Sequence, residues 1–523
     1  MAVQKPVFRD GWVTHVELQP PSLADNTSDG GRLIEGLKGK LASRAVAIDL
    51  PLLKKLPFLL REWEYSAGCV VARDADGWLV TGLFPPGDSR PPMGLAVDLG
   101  TSRIVLRLVN LLSGESLGER SFDNPQIAIG PDILARIHYA EEPEGLSTLK
   151  RLVVDGMNLE IASLCRACGR EAENIFMVSL AGNTTMTHLF MGLEPRWIIR
   201  EPYIPVTNRP GMLRASELGL AVNPSGRIFI YPNIGSYFGG DLIAGILFAG
   251  MHRQKETGIL VDVGTNAEVV LGNENWLIAC AGAAGPALEG GVTRMGMMAG
   301  PGVIDKVRID PEAGGFDLAT IGDTPPKGIC GSGLIDLAAQ LFLSGMLDVR
   351  GKFDPAVCGE LLQDVAGVPS LVVVPADRSA TGRDLTVSQA DIDSLVRSKA
   401  AMYTILETIT NSVGMLPGDL STFYVAGTFG SFIDPVSAIS IGMLPDLPRQ
   451  AFKVLGNSSL EGAARLLTSP DSLEEIDEIR NRITYLELNV NQEFMNRFSA
   501  AKFLPHTNPS LFPSVPVKQS GKK

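Results

Sequence analysis

The sequence predicts a duplicated α/β protein of two lobes, preceded by a small α+β domain. Three observations predict it. Two hairpins share one design: "LAVDLGTSRIVLRL" (95–108) and "ILVDVGTNAEVVLG" (259–272) each carry an apolar strand into an aspartate, a glycine and short polar side chains, then return as an apolar strand. The order strand hairpin, helices, strand, helix begins again at the second hairpin, so the duplication is of domain scale. Short apolar runs ending in glycine turns alternate with amphipathic stretches, as layered α/β folds require.

Residues 1–90 read as the small domain. "WVTHVELQPP" alternates like a strand, and "DNTSDGGRLIEGLKGKL" offers Asn/Thr/Ser caps before a helix. "LPLLKKLPFLLREW" is apolar at helical spacing but divided by prolines, and "GCVVARDADGWLVTGLFPPGD" reads as two strands joined by an Asp-rich turn. The Pro/Gly-rich "FPPGDSRPPMG" (84–94) is a linker. The first lobe is expected over 94–250. It contains the first hairpin, the helical stretch "PDILARIHYAEEPEGLSTLKRLVVDGMNLEIASLCRACG", and "NIFMVSLAGNTTMTHLFMGL" (174–193), a buried strand whose Gly-Asn-Thr-Thr turn opens a helix. The second lobe is expected over 255–515, from the second hairpin through "TFYVAGTFGSFIDPVSAISIGMLPD", with 516–523 as a frayed tail.

A chain of 523 residues is too long for one core. Hydrophobic residues at 45% and charged residues at 20% mark a soluble globular balance. The net charge of −12 argues against a nucleic-acid or anionic-membrane surface, and no apolar run reaches the ~20 residues of a membrane span. Phosphates remain acceptable ligands, because backbone N–H groups and a metal ion neutralise them. Six cysteines, at 69, 165, 168, 280, 330 and 358, form no disulfide framework, and no signal peptide is evident at the start of the chain; a reducing cytoplasm is expected.

The hairpins carry the chemistry. A carboxylate at a buried strand end, Asp98 or Asp262, suits hydrated Mg²⁺, which prefers oxygen ligands and keeps several waters. Gly100 and Gly264 permit a tight turn and clear the approach of a phosphate, while Thr101, Ser102, Thr265, Asn266 and the turn N–H groups donate to its oxygens. Asp241, after two glycines at a helix start, has two readings: it orients the attacking water or a metal-bound water, or it caps the helix. Asn183 and Thr184 likewise either face the nucleotide or cap the following helix.

With "YVAGTFG" (424–430) as a third element, the ordered set resembles the nucleotide-binding fold of acetate and sugar kinases, heat-shock chaperones and actin. Asp98, Gly100, Thr101 and Ser102 match that superfamily's first phosphate loop, and Asp262, Gly264, Thr265 and Asn266 its second. Gly427 and Gly430 match its adenosine turn. The resemblance implies a two-lobed actin-like, ribonuclease-H-like ATPase. "NPQIAIGPDILARI" (124–137), "AGNTTMTHLFMG" (181–192), "YPNIGSYFGGDLIAG" (231–245), "CAGAAGPALEGG" (280–291), "GICGSGLID" (328–336) and "FLPHTNPSLFP" (503–513) narrow it to the reductive activators of corrinoid proteins, over about residues 10–515. That family implies ATP and Mg²⁺ as cofactors, Asp98 and Asp262 as metal-binding catalytic carboxylates, and a corrinoid protein of a methyltransferase system as partner. ATP then helps reduce cobalt(II) to cobalt(I) through conformation, with no phosphoryl acceptor. A small-molecule kinase and an ATP-gated binding module or chaperone for a corrinoid protein remain alternatives.

The sequence departs from the family in its cysteines. Members commonly carry a leading 2Fe–2S domain with a C-x-x-x-x-C-x-x-C pattern, or 4Fe–4S cysteines at the C-terminus, and neither pattern occurs here. The expected electron source is therefore a separate donor such as a ferredoxin. Cys165 and Cys168 in "CRAC" supply half a cluster site. Packed thiols are the favoured reading, and a cluster shared across a homodimer is the alternative.

Overall fold

Alternation of buried and exposed residues marks the small leading sheet. In the computed structural model, which describes residues 11–74, 77–87, 90–236, 238–263, 266–283, 293–309, 315–427, 433–486, 488 and 492–516, strand β1 (Val13–Glu17) buries Thr14 and Val16 on one face and exposes His15 and Glu17 on the other. It joins β2 (Val46–Ile48), β3 (Ser66–Asp74) and β4 (Gly77–Phe84) in the order β1-β3-β4-β2. Ser28, whose side chain accepts from the Gly31 N–H, starts the helix Asp29–Lys40, and prolines open the helices Leu50–Leu53 and Leu56–Glu62.

A six-stranded sheet follows. Its members are β5 (Met93–Leu99), β6 (Arg103–Asn110), β7 (Ser116–Asp123), β8 (Ile175–Gly182), β9 (Gly211–Arg214) and β10 (Arg227–Ile230), in the order β7-β6-β5-β8-β10-β9. The central strands β5 and β8 are apolar runs because both faces are covered. Helix α1 (Gly145–Ala167) buries Leu149, Val153, Met157 and Ile161 at fourfold spacing against this sheet's core. Helices α2 (Thr184–Met191) and α3 (Gly240–Ala249) start at the glycine turns read from the sequence.

The second unit repeats the plan. Strands β11 (Gly258–Val263), β12 (Asn266–Gly272), β13 (Leu277–Ala283), β14 (Thr422–Ala426), β15 (Phe452–Gly456) and β16 (Ile483–Tyr485) stand in the order β15-β14-β11-β12-β13-β16. Reading from the third strand of each hairpin, β7-β6-β5-β8-β10 and β13-β12-β11-β14-β15 are the same arrangement. Each has two antiparallel pairings, then two parallel ones. The duplicated α/β fold predicted from the hairpins is therefore what forms. Helices α4 (Gly331–Ser344) and α5 (Gln389–Asn411) fill this unit's core, α5 starting from a Ser388/Asp391 capping box. Among the described residues, no helix is long and apolar enough to cross a membrane.

The compact units differ from the expected boundaries at two places. Residues 1–248 and 458–481 form one unit, and 249–457 with 482–523 the other. The small domain thus shares the first unit. Asp49, buried at its edge, binds Arg214 through both carboxylate oxygens (2.8 and 3.0 Å), and Arg227 approaches at 3.3 Å. Residues 458–481, expected within the second lobe, carry helix α6 (Ser458–Thr468) and most of α7 (Ser472–Arg482) back to the first. There Glu461 pairs with Arg107 at 2.7 Å, and the Gly462 carbonyl accepts from the Tyr231 hydroxyl at 2.8 Å.

Candidate functional site

Each hairpin delivers its aspartate to the end of a central strand. Asp98 is the penultimate residue of β5, half-buried, and parallel register sets it beside Ala181 of β8. Asp262 is the penultimate residue of β11, half-buried, and lies beside Ala426 of β14. The next residues are Gly182 and Gly427, so the Ala-Gly turns at 181–182 and 426–427 hold equivalent places in the two sheets. In the sequence alone these turns stand as separate motifs. Their shared "AGN" and "AGT" was the available signal.

In the first unit the turns meet. Asn183 accepts from the Met186 N–H (2.9 Å) and donates through Nδ2 to the Thr101 hydroxyl (3.0 Å), so it both caps α2 and ties that cap to the first loop. Thr184 is buried and its hydroxyl donates to the Gly235 carbonyl (3.1 Å), which commits it inward. Asp241 sits in the first turn of α3, where its Oδ1 accepts from the Leu242 N–H (2.9 Å). A Cβ on Gly239 would stand 2.5 Å from both the Asn183 Cα and Asp241 Oδ1, so the Asp241 and Asn183 turns are in direct contact. Ser102 is exposed at the loop tip.

Ser459 was not anticipated. At the start of α6, its hydroxyl donates to Asp98 Oδ1 at 2.9 Å. The signal was "GNSSLEG" (456–462), a glycine turn with two hydroxyls before a helix. Loop residues 100–102 are braced from behind: Asn124 Nδ2 donates to the Gly100 carbonyl (2.9 Å), the Asn124 N–H to Ser102 O (2.8 Å), and Arg136 Nη2 to Thr101 O (2.8 Å).

The second unit adds an unforeseen carboxylate. Antiparallel register places Glu268 of β12 opposite Asp262, so the two acids share one face of the sheet. Alternation along "DVGTNAEV" carried that signal. Gly427 has φ +82°, and a Cβ there would lie 2.7 Å from Asp262 Oδ1, so a side chain would displace the carboxylate. Gly264, Thr265 and Gly430 lie outside the described residues, and Asn266 is described only as the first residue of β12.

The residues present fit a magnesium polyphosphate. Among the described residues no three His, Cys, Asp or Glu side chains are placed to cage a metal, but Mg²⁺ is normally held by one or two carboxylates plus waters. At Gly100 a Cβ would stand 2.4 Å from the Arg103 carbonyl, so this turn stays free of side-chain bulk. Cys165 is buried in the first core, and burial pushes its thiol up to about 11. Cys168 donates to the Leu117 carbonyl at 3.4 Å. His188 is a core residue: its Nε2 accepts from the Val206 N–H (3.1 Å), which assigns the proton to Nδ1, 2.7 Å from the Thr184 carbonyl.

Comparison with known proteins agrees with this architecture. Residues 12–90 match the RACo linker region, 93–254 the RACo middle region, and 256–516 the C-terminal domain of RACo, the ASKHA domain. The fold is thus the actin-like ATPase fold. The chain is 32% identical over 425 residues to the corrinoid activation enzyme RamQ of Eubacterium limosum, covering 80% of this chain and 71% of that protein. It is 25% identical over 451 residues to the [Co(II) methylated amine-specific corrinoid protein] reductase of Methanosarcina barkeri, covering 77% and 75%. The solved structure of a reductive activator for corrinoid, iron-sulfur protein superposes with TM-score 0.84 at 37% identity, over 98% of this chain and 82% of that one. The chain belongs to the family of reductive activators of corrinoid proteins.

Proposed function

We propose that this protein is an ATP-dependent activator that returns a corrinoid protein from cobalt(II) to cobalt(I). One electron per cobalt comes from a separate donor such as a ferredoxin. The supporting observation is the pair of carboxylate-tipped hairpins, Asp98 and Asp262, at equivalent points of a duplicated sheet in a chain of this family. The Asp98 loop and the Asp262 loop are each read as an element that binds phosphate and Mg²⁺ of ATP, and the Gly427 turn as an adenosine-binding element. Mg²⁺, when bound, neutralises phosphate charge. Thr101 and the turn N–H groups orient the phosphates, Asn183 holds Thr101, and Ser459 fixes the rotamer of Asp98. Asp241 or Glu268 orients the attacking water.

Cobalt(II) reduction is uphill for ordinary donors. ATP binding and hydrolysis to ADP and phosphate change the activator's grip on its partner, and the shift cannot exceed the differential binding between states. The test mixes purified protein with cobalt(II) corrinoid proteins, reductant and Mg–ATP and follows cobalt(I) absorption. An ATP-dependent rise with one partner is expected. No rise with any partner, alongside phosphorylation of a metabolite, overturns the proposal in favour of a kinase.

A further inference from the structure

The segment "NPQIAIGPDILARI" (124–137) has no role in the chemistry above, yet it is the floor of the first aspartate loop. Three successive carbonyls, of Gly100, Thr101 and Ser102, are held toward it by Asn124 and Arg136. In a trans peptide the N–H lies opposite the C=O, so the N–H groups of Thr101, Ser102 and Arg103 are turned away from that floor. A turn that presents consecutive N–H groups on one side is an anion receptor.

Arg136 is the unusual member. It is fully buried, and every hydrogen-bond partner it has is neutral: Nε donates to Gly130 O (2.9 Å), Nη1 to Gln126 Oε1 (3.2 Å) and toward Met186 Sδ (3.2 Å), and Nη2 to Thr101 O (2.8 Å). Among the described residues no carboxylate is salt-bridged to it. Gln126, itself fully buried, is anchored through Nε2 to Leu149 O (2.9 Å), which fixes the oxygen facing the guanidinium. Burial lowers the Arg136 pKa to about 10, which leaves the group charged at neutral pH. The Asp132 carboxylate acts on it only through space, without an ion pair, and a buried cation bonded to the back of a phosphate-type loop gains further compensation when an anion binds in front.

We infer that Arg136 is a positioning residue of the first loop: it pins the Thr101 carbonyl from below and sets a buried positive charge behind the N–H groups that receive the nucleotide's polyphosphate. The inference rests on the reading that this loop binds ATP. It makes Arg136 matter to phosphate and not to adenosine.

Calorimetric titration of Mg–ATP and of adenosine into the full chain, with unfolding curves in parallel, tests this. Arg136→Gln is expected to weaken ATP by about tenfold or more while adenosine stays within about twofold, with Arg136→Lys recovering part of the loss. A folded Arg136→Gln variant whose ATP affinity stays within about twofold of wild type, or which weakens ATP and adenosine equally, overturns the inference. If Arg136→Gln does not fold, Asn124→Asp carries the test by placing negative charge beside the same loop. A loss of about tenfold for ATP alone supports the inference, and an unchanged ATP affinity overturns it. Wild-type protein is titrated first. Its failure to bind ATP overturns the nucleotide reading itself, a result distinct from an insensitive variant.

Discussion

Asp98 and Asp262 each stand one residue from the end of a buried strand, where only a few atoms of backbone separate a carboxylate from a glycine turn. Asp98→Asn and Asp262→Asn keep shape and remove charge, so each is expected to lower Mg–ATP turnover by about a hundredfold, read by phosphate release. Glu268→Gln is expected to lower turnover with less effect on ATP affinity, since the acid stands on the same face as Asp262 without ending the strand. A second residue-scale effect concerns pH. Burial, and then the neighbouring Lys399, hold His506 down to about 4 from 6.5, while its Nδ1 accepts from the Asn508 N–H at 3.1 Å. The folded state therefore resists a proton that the unfolded chain accepts. The contribution of His506 to stability is intact above about pH 6.5 and falls on the order of 2 kcal/mol as pH drops toward 4. Chemical denaturation between pH 7 and 4.5 is expected to show this loss in wild type and a shallower one in His506→Gln.

The loops and helices around the first aspartate owe their positions to close backbone approach. A Cβ on Gly462 of α6 would lie 2.1 Å from the Ala244 carbonyl oxygen and 2.5 Å from its carbon in α3. Backbone atoms cannot move aside cheaply, so Gly462→Ala is expected to cost about 1–3 kcal/mol, measured from the urea midpoint. Because α6 also carries Ser459 to Asp98, the variant is expected to lose turnover beyond its stability loss. At this scale the sequence was readable where period and punctuation agreed, as in α1, α5 and the paired hairpins. It was silent on α6. "SSLEGAARLLT" looks like any amphipathic helix, and nothing within it names the sheet it covers.

For the whole molecule, nucleotide that binds only the folded state stabilises it by mass action. Mg–ATP at a hundred times its dissociation constant is expected to add about 2.7 kcal/mol and raise the thermal midpoint, and chelation of Mg²⁺ is expected to abolish most of that shift. A midpoint insensitive to Mg–ATP argues against nucleotide binding by either hairpin.

Local chemistry fixed what the sequence alone could determine: a doubled α/β plan, the two aspartate loops, and the caps and turns around them, because periodicity and glycine placement act over a few residues. Tertiary structure decided the rest. Ser459 reaches Asp98 across 361 positions, Arg136 reaches Thr101 across 35, and residues 458–481 return to the first unit. Such contacts depend on which surfaces fold against one another, and a hydroxyl or guanidinium carries no mark of its distant partner until the chain between them has packed.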